Sequence, residues 1–416
     1  MERYSEYQET GIAWMPQIPS HWRHLQFRGL FSITKRIAGR AGIDVLAVTQ
    51  RGIKVKDVES NEGQIAADYS NYQIVEPGDF AMNHMDLITG FIGISPQFGV
   101  TSPDYRVFKN TSSLANSRYY LYLFELCYKL RIFYGLGHGV SNKGRWRLPA
   151  PIQNRFRIPL PPLSEQERIV DFLNNKTLQI DRYVAEREQE VQLLNELKES
   201  EIAKAVTQGL NPNVKMKDSG VPWIGMIPEH WEVSKINSLF KERREKVSDK
   251  VFSPLSVSKQ GITPQLETAV KTDNGDNRKK VCKGDFVVNS RSDRKGSCGI
   301  SPYTGSVSLI NIVLQPRADI EGQYFHYLFR SSNYIEEFYR IGRGIVADLW
   351  TTRYSEMRNI LVPLPPLDEQ RAIVAYIDDK CAKVNSLIAD IQAEISYLKE
   401  YKQRLIADCV TGQIKV

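Results

Sequence analysis

The sequence predicts an α+β protein in which one two-part unit occurs twice. Each unit is a globular domain followed by a long helix, and the two helices are expected to pair as an antiparallel coiled coil. Three observations carry this. The phrase LPPLSEQERIV at 160–170 returns as LPPLDEQRAIV at 364–374. Each copy opens a long amphipathic stretch without Gly or Pro. Each is preceded by short β-branched and aromatic runs broken by turn residues, followed by one helical segment.

The duplication extends well beyond the phrase. GIAWMPQIPSHW (11–22) matches GVPWIGMIPEHW (220–231), and LAVTQRGI (46–53) matches LSVSKQGI (255–262), both offset by 209. GDF recurs at 78 and 284, and GISP at 93 and 299, offset by 206; FYGLGHG (133–139) answers FYRIGRG (338–344), offset by 205. A drift of five residues across half a chain means one fold with small insertions. So long a period excludes solenoid units and implies a duplicated domain. Two such halves are expected to be related by a pseudo-two-fold axis. At 416 residues a single core is not expected. The boundaries implied are 1–157 for the first globular domain, 158–210 for the first phrase and helix, 211–362 for the second domain, and 363–416 for the second phrase and helix.

Within the globular parts, YQIVEPGDFAM and KKVCKGDFVVN both break at Gly-Asp, which suits a hairpin turn. RYYLYLFELCYKLRIFYG and QYFHYLFRSSNYIEEFYR read as helical. From Ser164 to about Gln208, and from Asp368 to about Thr411, strong helix formers dominate, with Ser164 and Asp368 placed to cap. Each helix would run roughly 65 Å at 1.5 Å per residue. The second keeps a 4-3 apolar spacing through Ile377, Cys381, Val384, Ile388, Ile391, Ile395 and Leu398, then Leu405 and Cys409, with Lys402 intruding. In the first helix the same frame gives Leu173, Ile180, Val184, Val191, Leu194 and Ala205, with Thr177, Arg187, Lys198 and Glu201 as polar members. A 3.5-residue repeat held this long is a coiled-coil seam. Lys198 and Lys402 fall at equivalent places.

The chemistry is notable for what is missing. There is no GxxxxGK[ST] nucleotide loop. The six histidines are scattered, and the five cysteines include no CxxC, so no metal or cofactor is expected in this chain. His21 and His230, each beside a tryptophan, suit packing. The chain reads as catalytically empty. No apolar run approaches a signal or membrane helix, and the thiols fit a cytoplasmic setting.

A formal charge of +7 permits a nucleic-acid partner without requiring one. The charge is local: 278–295 holds seven Lys/Arg against two Asp, and 143–157 holds five Arg/Lys and no acid. Both stretches mix the cations with Asn, Ser and aromatic residues, as phosphate contact plus base reading would need. Between GDF and GISP one half reads AMNHMDLITGFI and the other VVNSRSDRKGSC. One scaffold offers two different sets of side chains.

The duplicated globular unit, the repeated PLPPLxEQ phrase and the long helix after each copy resemble the specificity subunit of type I restriction–modification enzymes, over essentially the whole chain. The resemblance implies two target-recognition domains, each reading half of a bipartite, asymmetric site in double-stranded DNA. It implies that the helices act as a ruler and dock two modification (methyltransferase) subunits, which carry S-adenosylmethionine, with restriction subunits joining the complex. The chain itself would be non-catalytic. The DNA-contact candidates are Lys35, Arg36, Gln50, Arg51, Asn83, His84, Asn142, Lys143 and Arg145 in the first domain. In the second they are Lys259, Gln260, Asn289, Arg291, Arg294, Lys295 and Arg343. Two other readings are a DNA-modifying enzyme in its own right and a coiled-coil scaffold without sequence recognition. S-adenosylmethionine binding by the isolated chain would favour the first, and sequence-selective retention of duplex DNA would exclude the second.

Overall fold

The computed structural model describes residues 2–50, 52–57, 68–139, 146–265, 275–344 and 350–416. The chain divides into two compact units, residues 1–186 with 394–416, and residues 187–393. The main sheet has the same topology in both, while the small sheet beside it has two strands in the first unit and a third, Lys246–Val247, in the second. In the first unit a four-stranded antiparallel sheet has the order Phe31–Thr34, Arg106–Asn110, Phe80–Met82, Ile92–Ile94. In the second the order is Phe240–Glu242, Asn311–Pro316, Phe286–Asn289, Cys298–Ile300. Phe80 pairs with Ile94 and Phe286 with Ile300, so the registers coincide at an offset of 206.

The apolar face of each sheet is closed by helices: Ser117–Lys129 in the first unit, Gly322–Arg330 and Ser332–Arg340 in the second. Rings fill the space between. Phe80 stacks on Phe108 at 4.8 Å, and Phe31 meets Phe124 edge-on at 5.5 Å. In the second unit Phe286 meets Phe329 at 5.0 Å.

The Gly-Asp turns are present, with Gly78 at φ 89° and Gly284 at φ 92°, but they do not close hairpins. The strand before each turn pairs elsewhere: Gln73–Val75 with Gly99–Thr101, and Arg278–Val281 with Gly305–Val307. The turn passes the chain from a small sheet to the large one. Its aspartate explains why: Asp79 accepts from the Glu76 amide at 2.9 Å and binds Arg36, while Asp285 accepts from the Cys282 amide at 2.7 Å and Arg243 at 2.7 and 3.1 Å. A buried carboxylate is held by one guanidinium and one amide, which fixes the bend between sheets.

The long helices span Leu163–Gln208 and Leu367–Val410. Each begins one residue before the expected cap, because the carbonyls of Pro162 and Pro366 accept the first helical bonds. Most of the seam positions are buried or partly so, including Leu173, Val184, Ile377, Ile391 and Ile395. Pairing is antiparallel within each unit. In the first, Asp181 meets Lys402 at 2.6 Å and Tyr183 meets Glu394 at 2.9 Å. In the second, Lys198 meets Asn385 at 2.9 Å and Glu201 meets Tyr376 at 2.9 Å. Partner numbers fall as the first helix advances. The two seam lysines are thus neutralised or solvated by facing polar groups, a device that pins register at some cost in stability.

Each globular core takes in the end of a long helix. Leu405, Ile406, Cys409 and Val410 belong to the first core, and Ala205 and Val206 to the second. Buried Tyr119 donates to the Val410 carbonyl at 2.7 Å, and Tyr324 donates to that of Val206 at 2.8 Å. Just beyond, Gly209 (φ 75°) and Gly412 (φ 72°) end the helices against Trp231 and Trp22 in a conformation that favours glycine.

The repeated Glu-Gln ties helix start to domain. Glu165 accepts from the Trp22 indole at 2.9 Å, from Tyr4 at 2.9 Å and from His21 at 2.8 Å. Burial alone would raise its pKa, but these bonds outweigh it and hold the carboxyl below its ordinary value. Glu369 binds the Trp231 indole at 2.9 Å and His230 at 2.5 Å. Gln166 and Gln370 bridge the proline carbonyls to the amides of Asn116 and Glu321. Glu165→Ala would leave the fully buried Trp22 N–H unpaired. A loss of about 2–3 kcal/mol in unfolding free energy is expected, with Glu165→Gln losing less. Chemical denaturation of the two variants checks this; equal stability of Glu165→Ala and the parent would refute it.

Candidate nucleic-acid interface

In each unit, two segments after the GDF strand and the Gly-rich phrase come together. In the first, the Leu148 amide donates to the His84 carbonyl at 2.9 Å and His138 bridges to Arg147. In the second, Thr352 donates to Ser290 at 3.0 Å, while Arg343 and Arg291 both bridge to Thr351. The segment that follows each GDF strand therefore lies beside described residues that follow the Gly-rich phrase.

The candidates divide by what holds them. Lys35 and Gln50 are exposed in the first unit, Gln50 at the tip of the hairpin Leu46–Thr49/Gly52–Val55. Lys259 and Gln260 occupy the matching tip of Leu255–Ser258/Gly261–Pro264. Lys259, Gln260, Lys295 and Arg330 line one open cleft of about 700 Å³. Arg294 and Arg343 are exposed; Arg291 and Lys295 are bonded to Asp293 at 2.8 Å and Glu336 at 3.1 Å. Such surface pairs are weak enough to exchange for phosphate. Arg36, tied to buried Asp79, serves the scaffold. Asn83 and Asn289 are equivalent, and each spends its Oδ1 on its own turn, accepting from Met85 and Asp86 or from Arg291. Arg51, Asn142, Lys143 and Arg145 lie outside the described residues.

His84 sits half-buried beside the nearly buried Arg106, which donates to the Leu148 carbonyl at 2.8 Å and to Gln153 Oε1 at 2.6 Å. Burial, then Arg106 and Arg147, press the imidazole pKa down to about 4. His326, in the second unit, is lowered to about 4 by burial and Arg330. Both are neutral at pH 7. The folded pKa lies below the unfolded value near 6.5, so the unfolded chain binds the extra protons first. Stability should fall as pH drops from about 6.5 towards 4. In a His84→Asn/His326→Asn variant, the melting temperature should fall less over that window than in the parent. Parallel curves would refute this assignment.

The structure adds residues missing from the candidate set. Arg244, Lys246, Lys279 and Arg353 line a cleft of about 520 Å³ beside Thr351, with Glu242 as its acid. Arg147 stands exposed beside its bridge partner His138. The signal existed, in the basic run KERREK at 241–246 and in the 143–157 stretch itself. Linear sequence did not say that 244, 246 and 353 share a wall. Among the described residues, no group of three or more His, Cys, Asp or Glu could hold a metal ion, and no helix is long and apolar enough to cross a membrane.

A scaffold used twice, with a different polar rim each time and long helices joining the repeats in sequence, defines a double recognition module. A family model described as the type I restriction modification DNA specificity domain matches residues 56–193 and 228–397. A putative type I restriction enzyme MjaX specificity subunit of Methanocaldococcus jannaschii is 23% identical over 366 residues, covering 84% of this chain and 81% of that protein. The EcoBI specificity subunit of Escherichia coli is 25% identical over 280 residues, covering 62% of this chain and 58% of the relative. The fold is shared with a chain from a structure on complex assembly and conformational transition of the type I R-M system (TM-score 0.67, 16% identity, 95% and 99% covered). It is also shared with the HsdS subunit of Thermoanaerobacter tengcongensis (TM-score 0.53, 15% identity, 95% and 98% covered). The chain belongs to the type I restriction–modification DNA specificity family. In such a system its part is recognition and not catalysis.

Proposed function

We propose that this chain reads a bipartite, asymmetric target in duplex DNA, one half-site per unit, and docks two methyltransferase subunits that supply S-adenosylmethionine. Restriction subunits complete the assembly. One observation carries the reading: the four-stranded sheets of the two units match strand for strand while the loops at 83–90 and 289–296 differ in sequence. The first loop is NHMDLITG, turned on Asp86, whose carboxylate takes the Ile88 and Thr89 amides. The second is NSRSDRKG, with three cations. Different hydrogen-bonding groups on one frame favour different bases. Phosphate contacts would come from Lys35, Arg147, Arg244, Lys246 and Arg353, and base contacts from Gln50, Arg291, Arg294, Lys295 and Arg343.

Methylated positions in the host genome, compared with and without this gene, test the reading directly. The gene should account for one asymmetric motif with an unread gap, methylated on adenine in each half. The purified chain alone should retain duplex DNA carrying that motif and transfer no methyl group. Methylation by the clean isolated chain would overturn the proposal.

A further inference from the structure

The repeated scaffold lets one loop be compared with its own counterpart. Residues 289–296 follow the second GDF strand, as 83–90 follow the first. The backbone of the second loop is held at several points. The Asn289 amide donates to the Ser297 carbonyl at 2.9 Å, and its Oδ1 accepts from the Arg291 amide at 3.1 Å. The Tyr339 hydroxyl, on the helix Ser332–Arg340, lies 3.2 Å from the Asn289 carbonyl and 3.3 Å from that of Arg294. The Ser292 amide donates to the Trp350 carbonyl at 2.9 Å. Between these anchors the chain makes one tight turn, Ser292–Arg294.

A loop tied down in this way presents its side chains at fixed places. Asp293 stands between two arginines: its Oδ1 accepts from Arg291 Nε at 2.8 Å, and its Oδ2 faces Arg294 Nε at 3.7 Å. The arginine side chains are 42% and 67% exposed. Both contacts use Nε and leave the terminal nitrogens of each fork to other partners. One carboxylate thus steers two guanidiniums, and it need not let go for either to bind. A guanidinium fork matches the O6 and N7 acceptors on the major-groove edge of guanine. Aligning it before binding removes part of the ordering cost.

The first loop spends its acid differently. Asp86 turns inward and takes the Ile88 and Thr89 amides at 3.0 and 2.9 Å. No arginine or lysine occurs between 83 and 90, so this loop has no fork to offer guanine.

We propose that Arg291 and Arg294 each read one guanine in the half-site of the second unit, with Asp293 as the positioning residue for both. This rests on the function proposed above and deepens it by naming two of the bases.

The test begins with the parent, whose methylated motif should hold guanine, on either strand, at two or more positions of one half-site. Duplexes with a single guanine replaced by 7-deazaguanine lose the N7 acceptor and keep their base pairing. The chain in complex with its methyltransferase partner should retain such duplexes about 10-fold less tightly at two of those positions. Arg291→Ala and Arg294→Ala should each relax the methylated motif at one of the two. The loss of discrimination there should be about 10- to 100-fold, with every other position unchanged. Asp293→Ala should relax both positions together, and Asp293→Glu should restore them in part. A merely structural part for Asp293 would instead lower methylation of all targets alike. A parental motif indifferent to 7-deazaguanine at every position overturns the inference and leaves the proposed function standing. So do arginine variants that weaken all sequences equally, which is the mark of phosphate contact. A parent with no bipartite motif would overturn both.

Discussion

Four residues added to each long helix at matched points, between Glu186 and Arg187 and between Asp390 and Ile391, should lengthen the unread gap by about two base pairs. Four helical residues add ~6 Å, and a base pair rises ~3.4 Å along the duplex. The bases read in each half should stay as they were, because no residue of either globular domain changes. Methylation of the parental target should fall by about 100-fold, since a displaced half-site forfeits several contacts at about 1–3 kcal/mol each. The insertion belongs in mid-helix. Near Thr207 it would cut into the second core, where Val206 is fully buried and its carbonyl accepts from Tyr324. It belongs in both helices because the seam is antiparallel: a single insertion would slide Lys198 off Asn385 or Lys402 off Asp181. Methylome sequencing of the insertion strain decides. An unchanged gap would show that the helices do not measure DNA.

Exchanging residues 30–156 for those of another specificity subunit should replace one half-site completely and leave the other intact. The loss on the parental target should be about a thousand-fold or more, as a few mismatched base pairs add roughly independently. The limits of the graft come from packing. Trp22 and Glu165 must stay together, and so must the strands Arg23–Gln26 and Arg157–Leu160, which pair with each other. Tyr119, which holds the Val410 carbonyl, lies inside the graft, so the donor needs a hydroxyl there. A change in both half-sites together would mean that the units do not read independently.

The tests above draw unevenly on sequence and structure. The duplication, the two long helices and the absence of catalytic motifs were all legible in the sequence, because each is a periodic or local property. Heptads show as spacing, and a repeated fold shows as repeated anchors. The double use of PLPPLxEQ was also visible, although its reason was not. Only folding brings Glu165 to Trp22 and Glu369 to Trp231, across 143 and 138 positions. The Gly-Asp turns were read as hairpins because alternation looks the same whichever strand becomes the neighbour. The choice of neighbour was made by Asp79 and Asp285, whose burial requires Arg36 and Arg243.

The interface divides in the same way. Sequence located the basic stretches and the diverging loops, since composition is local. It could not tell that Arg36 is held in the scaffold, that Asn83 and Asn289 shape their own turns, or that Arg244, Lys246 and Arg353 line one cleft. By itself the sequence determined that one frame is used twice with different side chains on it. Tertiary structure decided which charges face outward, because an exposed cation and a buried, paired one have the same letter and differ only in what the fold packs against them.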